Sequence, residues 1–202
     1  MPAVREESFQ KKNITAFEPC YNKENEFERM CNAMHQPNGK VSKTHQMVLF
    51  ALFASLTVVM TLLIRFPIPF AQGYLNIGDG VVMLAALVMG PAAGFWVGSI
   101  GSALADMIAG YAMYMPFTFF IKGLEGYFAG WLFMRTKKTV LSVGVAAVWM
   151  ATGYLLTDWF LYGLAAAIAA FPLNLLQGLA GSIVSVLLFR IIGPIFKSKF
   201  NI

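Results

Sequence analysis

The residues most able to do chemistry are a few ionisable side chains that stand alone inside long apolar runs. An ionisable group at membrane depth is costly unless it faces a cavity or a partner, so it usually marks a functional position. We therefore predict that these side chains belong to a binding site. They are Asp79, Asp106, Lys122 and Glu125.

The overall composition is that of an integral membrane protein. Hydrophobic residues make up 58% of the chain and charged residues only 12%, and the mean hydropathy is +0.65. Soluble domains have about 45–50% apolar residues. The net charge of +5 comes from basic residues that lie mostly outside the apolar segments, where they orient a chain in the membrane, and this argues against nucleic-acid binding.

The apolar segments predict an all-α fold with six transmembrane helices and both termini in the cytoplasm. Gly90-Pro91 divides one long uncharged run into two crossings, and this division places nearly all basic residues on one side, as the positive-inside rule requires. The second helix would be about 20 Å long, shorter than a hydrocarbon core of about 30 Å, so it starts in a depression or is partly re-entrant. The six predicted helices cover roughly residues 47–66, 77–90, 92–110, 117–134, 140–162 and 172–192.

Three regions follow from this prediction. Residues 1–46 form a polar cytoplasmic tail without a signal-peptide pattern, residues 47–192 form the membrane domain, and residues 193–202 form a short basic cytoplasmic tail. The cysteines and histidines of the first tail match no zinc-ligand spacing, so no metal site is predicted.

The predicted topology brings polar residues to one level in the outer half of the membrane. Asn174 and Gln177 share a helix face there, at the depth of the ionisable residues. We therefore expect a polar cavity that opens outward. Tyr114 and Trp159 could supply flat faces for an aromatic ligand, although Tyr and Trp also commonly belt the membrane interface.

Lys122 and Glu125 have a second interpretation. Their three-residue spacing places them on one helix face, where they could neutralise each other and lock the fourth helix against its neighbours. The additional polarity of Asn174, Gln177 and Asp106 at the same level favours a ligand site.

The sequence contains no pattern for catalysis or nucleotide binding. Gly39-Lys40 lacks the upstream glycine of a phosphate loop and is followed by Val41, and there is neither a serine elbow nor an HExxH motif. A binding or transport role without a cofactor is therefore favoured over an enzyme. One alternative is a stand-alone ion-coupled transporter or channel that uses Asp79, Asp106 and Glu125.

The motif series NxGD, GPxxG, GSALAD, KGLEG and PxNxxQ resembles the substrate-binding S components of energy-coupling factor (ECF) vitamin transporters, over Met47 to Ile192. The resemblance implies a bacterial plasma-membrane subunit that captures a vitamin from outside. It also implies partners: a transmembrane T component and two ATPases, with docking on Ala51, Ala54 and Ser55. Asn76 of the NxGD motif joins the expected binding residues. The implied ligands are vitamin B6-type compounds, hydroxymethylpyrimidine or riboflavin.

Overall fold

The computed structural model describes residues 43–67 and 74–200 of the chain. Most of the tail predicted over residues 1–46 lies outside the described residues. The described part forms six helices and two short strands, in chain order α1 (Lys43–Leu63), β1 (Arg65–Pro67), β2 (Tyr74–Asn76), α2 (Gly78–Met89), α3 (Pro91–Ala109), α4 (Met115–Thr136), α5 (Thr139–Tyr162) and α6 (Leu164–Phe200). The predicted number of helices is confirmed for these residues.

The short helix α2 lies at the centre of the bundle. Every residue from Gly78 to Val88 is buried, because α2 packs against α1, α3, α4 and α6. A helix that is apolar on all sides is suited to such an enclosed position. Its twelve residues span about 18 Å, which is too short to cross a hydrocarbon core, as the sequence indicated.

Small residues allow α3 and α4 to approach closely. A Cβ atom added at Gly94 would stand 2.6 Å from the Ala86 Cβ and 2.7 Å from the Gly126 carbonyl oxygen. A Cβ at Gly98 would stand 2.8 Å from the carbonyl carbon of Lys122. These glycines therefore set the distance between α3 and α4.

Four helices are long and apolar enough to cross a membrane, counted over the residues that the structure describes: α1, α3, α5 and α6. Helix α2 is shorter, and α4 carries three charged side chains in its 22 residues, at Lys122, Glu125 and Arg135. Both helices are nevertheless integral parts of the packed bundle.

The structure differs from the sequence-based expectation at two connections. Strands β1 and β2, which were not predicted from the sequence, pair antiparallel in the connector between α1 and α2, with Arg65 opposite Asn76. Helix α6 begins at Leu164 rather than near Pro172, because only Gly163, at φ 88°, separates it from α5. The alanine-rich segment after Gly163 favours a helix, and Pro172 lies inside that helix.

Candidate functional site

A polar cavity lies where β2 meets the ends of α3, α4 and α5 and an interior stretch of α6. Asp106 comes from the last turn of α3, Thr118 from the first turn of α4 and Asp158 from the last turns of α5. The cavity encloses about 40 Å³, little more than the space of one or two waters. Its wall is formed by Tyr74, Asn76, Asp106, Tyr111, Tyr114, Thr118, Tyr154, Asp158, Asn174 and Gln177.

Two tyrosine–aspartate hydrogen bonds cross this cavity. The Tyr74 hydroxyl donates to Asp106 Oδ1 at 2.6 Å, and the Tyr114 hydroxyl donates to Asp158 Oδ1 at 2.7 Å. Burial, followed by the neighbouring carboxylate, raises the pKa of each tyrosine above its ordinary value. Both phenols therefore stay protonated and remain hydrogen-bond donors. Their hydrogen bonds help to stabilise the two carboxylates, which lie near helix C-termini, where the helix dipole disfavours a negative charge.

Aromatic rings form much of the remaining wall. The rings of Tyr74 and Tyr111 lie 5.0 Å apart between centroids, and those of Tyr114 and Tyr162 lie 6.1 Å apart. The Tyr154 hydroxyl lies 3.1 Å from the Thr118 hydroxyl. Flat apolar faces next to polar edges suit a planar heterocycle.

Beneath the cavity lies a buried charge cluster, which we define as Asp79, Lys122 and Glu125. The Lys122 ammonium donates to Asp79 Oδ1 and, at 2.9 Å, to Glu125 Oε2. All three residues are 0–1% exposed, and the second Glu125 oxygen, Oε1, has no hydrogen-bond partner among the described residues. One ammonium thus faces two carboxylates, which gives the ionised cluster a surplus negative charge.

Gln177 joins the charge cluster to the cavity wall. Its Nε2 donates to Asp79 Oδ2 at 2.9 Å, and its Oε1 accepts from the Asn76 backbone N–H at 3.1 Å. The Asn76 side chain in turn accepts from the Gly78 N–H at 2.9 Å. Strand β2 is therefore held at the start of α2 by amide groups whose orientation depends on Asp79.

The structure brings most of the sequence-predicted site residues together in two layers. Five of them line the cavity: Asn76, Asp106, Tyr114, Asn174 and Gln177. The other ionisable residues, Asp79, Lys122 and Glu125, lie below it in the charge cluster and contribute no part of the wall described here.

Trp159 does not join the cavity wall. Its side chain is 55% exposed, because it follows Asp158 directly and so points to a different side of α5. The interface-belt interpretation therefore suits Trp159 better than a ligand contact.

The predicted site does not include the other five residues of the wall, which are Tyr74, Tyr111, Thr118, Tyr154 and Asp158. A signal was present for two of them, because Thr118 lies four residues before Lys122 on α4, and Tyr154 lies four residues before Asp158 on α5. Residues four apart share a helix face, so each could have been found from its ionisable neighbour.

The chemistry of the cavity is that of a binding site. Its wall contains two carboxylates and no ammonium or guanidinium group among the described residues, and the described Asp, Glu, His and Cys residues form no group that could hold a metal ion. Asn174 is 6% exposed, and its side-chain amide makes no hydrogen bond to any other described residue. Its amide is therefore available to pair with a ligand.

The chain matches a family of transporter subunits and two individual proteins. The family model of the "ECF-type riboflavin transporter, S component" matches residues 41–193. The chain is 40% identical over 146 residues to an uncharacterised protein of Pyrococcus woesei, covering 69% of this chain and 98% of that protein. It is 30% identical over 148 residues to the thiamine precursor transporter HmpT of Lactococcus lactis, covering 73% and 87%.

A solved structure has the same fold. It is described as the S component of a bacterial ECF transporter, and it superposes with a TM-score of 0.60 over 77% of this chain and 99% of the other, at 24% sequence identity.

Proposed function

The chain belongs to the S-component family of ECF transporters, and we propose that its cavity binds a small amino-bearing heterocycle of the thiamine-precursor type, such as hydroxymethylpyrimidine. Proteins of this family are transport subunits rather than enzymes, and ATP hydrolysis takes place in partner subunits. The proposal concerns the ligand and the way in which this chain holds it.

The observation that carries the proposal is the acidity of the cavity wall. Asp106 and Asp158 each accept a tyrosine hydroxyl through Oδ1, and both carboxylates form part of the cavity wall. An aminopyrimidine offers an exocyclic amine that donates to a carboxylate, and its basic ring nitrogen also donates to a carboxylate when it is protonated. The thiamine-precursor transporter among the relatives supports the same ligand class.

The size of the cavity also favours a single ring. Drug-sized ligands occupy pockets of about 300–1,000 Å³, whereas this cavity encloses about 40 Å³. Any heterocycle must therefore displace side chains, most simply Tyr74 and Tyr114 from their aspartates. A pyrimidine or pyridine ring requires less displacement than the three-ring system of riboflavin.

We further propose six membrane crossings with both termini in the cytoplasm. Four basic residues lie at the end of the bundle that is opposite to the cavity: Arg135, Lys137, Lys138 and Arg190. The positive-inside rule assigns that end to the cytoplasm. The cavity then opens outward, towards external substrate, as a protein in the plasma membrane would require.

Docking of the T component is proposed on α1. Ala51 and Ser55 are exposed and four residues apart, so they form one small-residue face. Ala54 is half-buried, and its carbonyl faces Gly101 of α3, so it contributes less to an outer surface than the sequence suggested.

Ligand binding can be tested by titration calorimetry on the purified chain in detergent. We expect hydroxymethylpyrimidine to bind more tightly than pyridoxine, and pyridoxine more tightly than riboflavin. Asn174→Leu should weaken binding about 5- to 150-fold, because it leaves a ligand atom unpaired at a cost of about 1–3 kcal/mol. Trp159→Phe is the matched control and should bind as the wild type does. Tight riboflavin binding without pyrimidine binding would refute the ligand assignment.

A further inference from the structure

A second surface feature lies at the other end of the bundle, where the start of α5 meets the end of α6. This feature is a groove. Its residue Lys138 lies about 24 Å from Tyr154 of the cavity wall, measured along α5 at about 1.5 Å per residue. The groove is therefore separate from the cavity. Its lining consists of Lys138, Thr139, Val140, Leu141, Val186, Phe189 and Arg190.

The groove is cationic, and no acidic residue of the part of the chain that the structure describes lines it. Lys138 and Arg190 are exposed and form no ion pair with other described residues. The acidic residues of the described part lie in the cavity wall or in the charge cluster. They are Asp79, Asp106, Glu125 and Asp158.

The start of α5 adds to this positive character. Lys138 occupies the N-cap position in an extended conformation, and no side chain caps the helix. The first backbone N–H groups of a helix have no acceptor within the helix and favour an anion. A phosphate placed between Lys138 and Arg190 would meet both cations close to these donors.

The other wall of the groove is apolar. Val140 is 67% exposed and Leu141 is 46% exposed, next to Val186 and Phe189 of α6. The apolar span of α5 begins at Thr139, directly after Lys138, so this cation stands at the boundary between hydrocarbon and headgroups, and Arg190 lines the same groove. A soluble phosphate compound would leave this apolar wall uncovered.

We propose that the groove binds an anionic phospholipid, with the headgroup phosphate between Lys138 and Arg190 and an acyl chain along Val140 and Leu141. Basic pockets between helices at this level suit such lipids. The proposal depends on the membrane placement of α5 and α6 and not on the vitamin that the cavity takes.

The test uses a fluorescent phosphatidylglycerol and the full chain in a neutral detergent. We expect unlabelled phosphatidylglycerol to displace the probe, and phosphatidylcholine or inorganic phosphate to do so poorly. The double substitution Lys138→Gln and Arg190→Gln should weaken binding about 30-fold, from the attraction of each cation to an anionic lipid. Lys138→Arg keeps the cation and should keep binding.

Arg65→Gln is the matched control, because it removes a cation from the other end of the bundle, where Arg65 lies 5.8 Å from the Tyr74 ring. It should leave phosphatidylglycerol binding unchanged. The proposal is overturned if phosphatidylcholine competes equally, if the double variant binds normally, or if inorganic phosphate competes as well as the lipid does. Loss of assembly with the ATPase subunits in the double variant, without lipid selectivity, would instead assign the groove to a protein partner. Titration of the same variants with hydroxymethylpyrimidine shows whether the cavity still binds its ligand. A loss of lipid binding can therefore be distinguished from a failure of the proposed function.

Discussion

Replacement of Lys122 by Met should destabilise the protein more than removal of either carboxylate of the charge cluster. Lys122 is 1% exposed, and its ammonium is the cation that faces both Asp79 and Glu125. Methionine has a similar length but no charge, so it fills the space and leaves two buried carboxylates without a counter-charge.

The magnitude follows from what each variant leaves behind. After Lys122→Met, Asp79 keeps its bond from Gln177, but Glu125 loses its one hydrogen bond among the described residues. Removing one partner of a buried ion pair costs about 3–5 kcal/mol, and we expect a loss of at least this size.

The two carboxylate variants should follow in a defined order. Asp79→Asn removes a charged acceptor that serves both Lys122 and Gln177, at a cost of about 1.5–3 kcal/mol. Glu125→Gln keeps an oxygen for Lys122 and removes the surplus negative charge of the cluster. Its cost should therefore be about 1 kcal/mol or less.

The free energy of unfolding can be measured by titrating the detergent-solubilised protein with sodium dodecyl sulfate and following tryptophan fluorescence. The triple variant Asp79→Asn, Lys122→Met and Glu125→Gln serves as a control, because it contains no buried charge and should recover much of the stability lost in Lys122→Met. The reasoning is refuted if Lys122→Met unfolds within about 1 kcal/mol of the wild type, or if Glu125→Gln is as damaging as Lys122→Met.

Two further predictions concern helix surfaces. Gly94→Ala should destabilise the protein by about 1–3 kcal/mol in the same unfolding assay, because its Cβ would stand 2.7 Å from the Gly126 carbonyl oxygen. Gly144→Ala, where nothing lies within 4 Å, should be neutral or stabilising; equal effects at both positions would contradict the tight α3–α4 contact. Ala51→Trp should leave vitamin binding intact and abolish ATP-driven uptake in cells that contain the partner subunits. Normal uptake by this variant would move the docking face away from Ala51.

Much of the architecture follows from the sequence alone. Apolar runs of the right length, broken at Gly90-Pro91, predict six helices, and a short second helix is evident from its length. The break at Gly163 was harder to predict, because an alanine-rich segment follows it and Pro172 resembles a helix start. Local signals of this kind are ambiguous when a proline can either begin a helix or lie inside one.

Most residues of the candidate site can be predicted from the sequence, because a polar residue inside an apolar membrane segment needs a partner away from lipid. The division of that site into two layers could not be predicted. Lys122 and Glu125 form an evident pair from their spacing, but Asp79 joins Lys122 from 43 residues away along the chain. That contact exists because glycines let α3 and α4 approach closely around a wholly buried α2, and such distances are decided by side-chain packing in three dimensions.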